Sequence, residues 1–138
     1  MQFLSNVQWE LLARLLDYFQ PARLCICAEN DAVVAPLANL AQETAEAIYI
    51  SRDPGAYDAA IIICGPDKWE GTISGIRISS PGFILILNIH HSAEHEKMWS
   101  AVKANEAVNA SADLFYAGLL LFDNSFFEKQ EFTIRFPL

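Results

Sequence analysis

Two runs of apolar residues constrain this chain more than any other feature. Residues 58–64 and 82–88 are almost continuously apolar and show no alternation between apolar and polar positions. Runs of this length without alternation are typical of strands buried on both faces. Such a sheet needs helices on both sides. The runs therefore predict a doubly wound, mostly parallel sheet in a three-layer α/β sandwich.

Further strands and helices are predicted around these runs. The additional strands lie at residues 23–28, 47–51, 113–122 and 131–136. Ser5 and Gln8 have the spacing of a capping box and predict the start of a first helix. A second helix is expected at 31–46 and a third after Ser92. The sheet would have about six strands, and the last two are expected to form an antiparallel hairpin through residues 123–125.

Composition and charge exclude several classes of partner. The chain has 9 Lys and Arg against 17 Asp and Glu, and its formal charge is −8. A nucleic-acid partner is not expected, because phosphate binding needs a basic stripe. No apolar run approaches the roughly 20 residues that span a bilayer, and no signal peptide is visible. We therefore expect a single domain, 1–138, in the cytoplasm, without a membrane partner and with Cys25 and Cys27 as reduced core thiols.

The last third of the chain resembles a known family. Residues 81–92 place a buried strand before Asn88-Ile89-His90, a Trp-bearing helix follows, and residues 130–136 end in a short strand. This pattern is similar to the C-terminal half of class I S-adenosylmethionine-dependent methyltransferases, most closely the small O-methyltransferase-like proteins of the Bacteroidetes type. The resemblance implies parallel strands closed by an antiparallel C-terminal pair. It also implies a truncated domain, because too few residues separate Ser51 from Asp58 for the family's third, edge strand and its helices.

The resemblance implies a cofactor cleft at the carboxyl ends of the strands, where ligands of open α/β sheets bind. The family's first turn is rich in glycine, whereas here it is Ala28-Glu29-Asn30 and has none. Ser51 stands where the family places an acid for the ribose hydroxyls. If the domain is active, the resemblance implies Glu29, Asn30, Ser51 and Asn88 as the cofactor-binding residues.

The family's metal ligands are also altered. In its metal-dependent members an aspartate follows one strand and an Asp-Asn pair follows the next. The matching positions here are Cys64 or Gly65 and Leu87-Asn88. Because a hard divalent cation needs oxygen ligands, no metal site is expected.

Three histidines follow the fourth predicted strand and leave two interpretations open. His91 and His95 match the H-x-x-E-H pattern of a zinc peptidase class, but a capping Ser92 between them should keep the two rings out of alignment. If the domain is an enzyme, His90 or His91 is the candidate catalytic base. Otherwise these histidines are hydrogen-bonded residues of a strand-to-helix turn.

Two functions from different classes follow. The first is a degenerate methyltransferase-like domain without catalysis or cofactor, acting as a binding or self-associating module. Its partner would be a second copy or another protein, bound through apolar surface such as Phe126-Phe127. The second is an active S-adenosylmethionine-dependent methyltransferase for a small hydroxylated substrate. The altered positions all fall on one cleft and favour the first function, which predicts that the cleft outside Ala28, Ser51, Cys64 and Asn88 is shallow or filled by side chains.

Overall fold

A computed structural model describes residues 4–43, 45, 47–50, 55–125 and 128–134. The helices lie at Asn6–Phe19 (α1), Asp31–Ala41 (α2), Trp69–Ser74 (α3) and Ala93–Lys103 (α4), with a short 3-10 helix at Pro66–Lys68. The strands lie at Arg23–Ala28 (β1), Ala47–Ile50 (β2), Gly55–Ile63 (β3), Ile76–Leu87 (β4), Ala110–Asp113 (β5), Ala117–Phe122 (β6) and Gln130–Thr133 (β7). Among the described residues, no helix has the length and apolar character that a membrane span requires.

All the described strands belong to one sheet, in the order β2-β1-β3-β4-β6-β5-β7. Strands β2, β1, β3 and β4 pair in parallel. Strand β6 runs antiparallel to both β4 and β5, and β7 pairs in parallel with β5. The predicted fold class, a doubly wound and mostly parallel α/β sheet, is confirmed.

The sheet divides the apolar core in two, as the continuous apolar runs require. Leu12 of α1 and Leu37 of α2 pack on one face, whereas Trp69 and Trp99 of the other two helices pack on the opposite face. Side chains alternate across a strand, so Ile61–Ile62 supplies one fully buried side chain to each face. Burial of a side chain of that size contributes about 1.5–3 kcal/mol.

The last third of the sheet differs from the prediction. The expected strand at 113–122 is broken at residues 114–116 into β5 and β6, and these two form the antiparallel hairpin. The hairpin predicted through residues 123–125 is wrong, because β7 pairs with β5 and in parallel. The described sheet therefore has seven strands where about six were expected. The break arises at Asp113, whose carboxylate accepts a hydrogen bond from the Phe115 amide.

The helix ends agree with the sequence prediction better than the C-terminal strands do. Ser5 and Gln8 form both hydrogen bonds of a capping box, and Ser92 caps α4, as predicted. Helix α2 is capped by Asn30 and ends at Ala41, five residues before the predicted end at residue 46.

The glycine in β6 gives a test of this packing. A Cβ on Gly118 would lie 2.5 Å from Cζ3 of Trp99. Because Trp99 is buried, Gly118→Ala is expected to lower the free energy of unfolding by about 1–3 kcal/mol. Gly71→Ala is the matched control: its Cβ would meet no atom within 4 Å, and alanine favours a helix by up to about 1 kcal/mol. Urea denaturation measures both, and equal stability of the two variants would contradict the packing described.

Candidate functional site

Strands β1 to β4 end at one edge of the sheet, which we call the carboxyl edge, and begin at the opposite or amino edge. The first turn of the carboxyl edge holds Glu29 and Asn30. The Asn30 side-chain oxygen accepts a hydrogen bond from the Ala32 amide at 2.9 Å and caps α2. The Glu29 carboxylate forms an ion pair with Lys68 Nζ at 2.7 Å, across the end of β3. Both side chains of this turn thus contact the protein itself.

At the end of β4, Asn88 is tied to the first turn of α1. Its Oδ1 accepts a hydrogen bond from Gln8 Nε2 at 2.8 Å, and the same Gln8 nitrogen donates to the Tyr116 carbonyl at 3.1 Å. Asn88 has a left-handed φ of 64°, a conformation that asparagine tolerates better than most residues. Gln8 is 5% exposed. The sequence identified Gln8 only as a capping residue and gave no signal for this contact 80 residues away.

His90 lies between two carboxylates. Its Nδ1 is 2.7 Å from Glu96 Oε2, and its Nε2 is 2.6 Å from Asp113 Oδ2. Burial by itself lowers the pKa of His90, but the hydrogen bonds to both carboxylates outweigh burial and raise the pKa above its ordinary value. An imidazolium, with an N–H on each nitrogen, satisfies both acceptors. His90 therefore connects α4 and β5 to the end of β4.

His91 and His95 are closer than the sequence suggested. Their ring centroids are 5.1 Å apart and the ring planes meet at 74°, so the two rings touch edge to face, with His91 outside the helix that Ser92 caps. The Ser92 hydroxyl lies 2.6 Å from His95 Nδ1 and accepts a hydrogen bond from the His95 amide. Burial, and next the charge of His91, lower the pKa of His95. Within the described ranges, no three His, Cys, Asp or Glu side chains converge on a metal position.

A strained turn lies beside His90. Phe115, 63% exposed, has a φ of 70°, and the Tyr116 amide donates to the Leu114 carbonyl at 2.9 Å. This i to i+2 hydrogen bond around a positive φ is the strained form of the γ-turn. The Phe115 ring centroid is 5.9 Å from that of His90. The turn places an exposed aromatic side chain at the carboxyl edge.

At the carboxyl edge, a recess of about 230 Å³ lies among the described residues. It is lined by residues at the ends of β3 and β4, among them Cys64 and Asn88, and by His95 of α4. Small-molecule pockets usually have volumes of about 300–1,000 Å³. Ser51, the fourth residue expected to bind cofactor, lies outside the described residues.

Larger cavities lie at the amino edge, away from the strand ends where ligands were expected. One of about 480 Å³ lies between α3 and α4. A second of about 330 Å³ adjoins it and shares Ile73, Ser74 and Asn105 as lining residues. Among the described residues, these two cavities and the sequence-predicted site therefore lie at opposite edges of the sheet.

A solved structure has a fold similar to that of this chain. No family model and no curated relative matches this sequence. The chain is similar in structure to the O-methyltransferase TomG from Streptomyces achromogenes, which is involved in tomaymycin synthesis and was crystallised in complex with SAM. The TM-score is 0.51 and the identity 12%, over 88% of this chain and 82% of that one. At this identity the likeness shows the fold alone, a class I methyltransferase-like, Rossmann-like sheet.

The raised pKa of His90 predicts a specific dependence of stability on pH. A raised folded-state pKa stabilises the fold below the ordinary histidine pKa of about 6.5, and this contribution is lost as the pH rises through the folded-state pKa. His90→Gln is therefore expected to lower the free energy of unfolding more at about pH 5.5 than at about pH 9. Urea denaturation at the two pH values measures the difference.

His95→Gln is the matched control, because the pKa of His95 is shifted in the opposite direction. A lowered pKa makes the fold lose stability as the pH falls from the ordinary histidine pKa towards the folded-state value. His95→Gln should therefore be relatively more favourable at the acidic pH. A His90→Gln variant with the same loss at both pH values would contradict the charged state assigned to His90.

Proposed function

We propose that this chain is a degenerate, non-catalytic methyltransferase-like domain that acts as a binding or self-associating module. On this proposal the chain is one domain, in the cytoplasm, without a resident cofactor or metal. One observation carries it: polar side chains of the protein itself occupy the carboxyl edge, and the Gln8–Asn88 hydrogen bond ties this edge to α1.

The residues at this edge do not fit S-adenosylmethionine as the family holds it. Each residue of the turn Ala28-Glu29-Asn30 carries a Cβ where glycines would let the backbone approach a ligand. The Asn30 oxygen caps a helix, and Glu29 forms an ion pair with Lys68. The recess of about 230 Å³ is smaller than most ligand pockets.

The geometry of His90 also argues against catalysis. A general base needs a nitrogen lone pair within reach of the substrate. Both ring nitrogens of His90 instead lie within hydrogen-bond distance of carboxylates. To accept a proton from a substrate, His90 would have to give up its proton and one of these contacts. His91 is exposed and lies in contact with the His95 ring.

Cofactor titration tests the proposal directly. Isothermal titration calorimetry with S-adenosylmethionine and, separately, S-adenosylhomocysteine is expected to give no saturable heat at about millimolar ligand. A micromolar Kd, about −8 kcal/mol, would overturn the proposal in favour of an active methyltransferase on a small hydroxylated substrate. In that case Glu29→Gln and Asn88→Ala should weaken the binding, whereas Asp17→Asn on the exposed surface of α1 should not.

Strand β7 supports self-association as the second part of the proposal. All four of its residues are exposed, Phe132 is 43% exposed and the adjacent Ile134 is 44% exposed. The Gln130 and Ile134 amides donate towards β5, to the Asn109 and Asp113 carbonyls. Because amides alternate in direction along a strand, the Glu131 and Thr133 amides face away from β5. Among the described residues, no strand pairs with the side of β7 that faces away from β5.

A second copy of the chain could extend the sheet by pairing with this outer side of β7. Antiparallel pairing centred on Thr133 would place threonine opposite threonine and Phe132 opposite Ile134 of the partner subunit. Both are favourable cross-strand pairs. Pairing centred on Glu131 would instead oppose two carboxylates.

Sedimentation velocity at rising concentration is therefore expected to show a reversible dimer. Thr133→Pro should abolish the dimer. Proline has no amide hydrogen at residue 133, which faces away from β5, and it leaves the amides that face β5 in place. Tyr18→Ala, which deletes an aromatic side chain that is 81% exposed on α1, is the control and should leave the dimer unchanged. A monomer at every concentration, or a dimer that survives Thr133→Pro, would remove this part of the proposal.

A further inference from the structure

The cavity between α3 and α4 has the features of a ligand site. Its volume of about 480 Å³ is more than twice that of the recess at the carboxyl edge and falls within the range of small-molecule pockets, about 300–1,000 Å³. Two of its lining residues, Ile73 and Val102, are buried members of the core, being 7% and 2% exposed. The cavity therefore joins an apolar floor to the solvent.

An exposed carboxylate at this cavity favours a cation. Glu70 is the charged residue among those that line it, and its carboxylate has no hydrogen bond or ion pair within the described part of the chain. Another wall consists of Ala101 and Val102 of α4 and of Ala104 and Asn105, which follow the helix. The helix carboxyl terminus carries a partial negative charge, and Lys103 lies in its last turn. The same end already accepts one ammonium, because Lys129 Nζ donates to the Asn105 carbonyl at 2.8 Å.

The adjoining cavity supplies space for an apolar group. Its volume is about 330 Å³, and its walls include Ile76, Ile78 and Phe122. Of these, Ile78 and Phe122 are only partly buried, so a ligand that covers them removes apolar surface from water. Arg77 also lines this cavity and would repel a cation there. A charged head would therefore lie at Glu70, with its apolar part towards Phe122.

We propose that these two cavities form a binding site for a small primary ammonium with an apolar chain. The ammonium would form an ion pair with Glu70 and donate to the lone pairs of the Ser74 hydroxyl, which lines both cavities. The chain would cover Ile78 and Phe122. The inference goes beyond the proposed function, because the site lies at the amino edge and stands whether or not a cofactor binds at the carboxyl edge.

A titration of the full chain with three probes of equal length tests the charge preference. The probes are n-hexylammonium, n-hexanol and n-hexanoate, followed by the backbone amide shifts in two-dimensional NMR spectra. Hexylammonium is expected to give saturable shifts centred on residues 70–78 and 101–107, with a Kd at least about threefold lower than that of either other probe. Equal affinity for hexylammonium and hexanoate would overturn the proposal.

Two charge variants distinguish this site from general attraction to an acidic protein. Glu70→Gln is expected to raise the Kd for hexylammonium about threefold, because it removes an ion pair with an exposed carboxylate. Asp17→Asn makes the same change of charge on α1, which packs on the other face of the sheet, and should leave the Kd unchanged. An equal loss of hexylammonium affinity in both variants would show that only the net charge attracts the amine. That result would overturn the proposed site.

A cavity-filling variant supplies an independent test. Gly71 lines the larger cavity, and an added Cβ there meets no atom within 4 Å. Gly71→Leu should therefore fold with an unchanged or higher Tm while its side chain occupies the site. Loss of the hexylammonium shifts is the expected result. A Gly71→Leu variant that melts normally and binds like the parent chain would place the amine elsewhere.

Discussion

The parallel pairing of β1, β3 and β4 is the interaction on which the rest of the structure depends. These strands present apolar side chains to both faces, so water is excluded from their backbone, and each buried amide and carbonyl must find its partner in the ladder. Helices must then cover both faces, which divides the core between α1 and α2 on one side and α3 and α4 on the other. The position of each strand end, and of every polar residue beyond it, follows from this pairing.

The sequence predicted the parts of the fold that depend on local pattern. The apolar runs at 58–64 and 82–88 correspond to β3 and β4, and the caps of α1 and α4 are at Ser5 and Ser92. The break between β5 and β6 was missed because Leu114–Tyr116 contains neither glycine nor proline. The pairing of β7 with β5 was missed because partner choice in a sheet depends on segments far apart in the chain.

The sequence predicted where the candidate site residues lie but not which partners their side chains contact. Strand ends located Glu29, Asn30, Asn88 and His90 at one edge, as the parallel topology requires. What those side chains do there depends on residues distant in sequence: Asn88 is bonded to Gln8, 80 residues earlier, and His90 to Asp113, 23 residues later. No periodicity or motif encodes such contacts, and they decide whether the edge is open to a ligand.

The turn at Phe115 has a consequence for the register of the C-terminal strands. Its positive φ would suit glycine, and a left-handed conformation costs other residues about 1–2 kcal/mol. Both Asp113 oxygens hold the turn, one on the Phe115 amide and one on His90. A slip of β5 by one residue would break both contacts and turn its inward side chains outward. The turn thus fixes the register of β5 and, because β7 pairs with β5, the register of β7 as well.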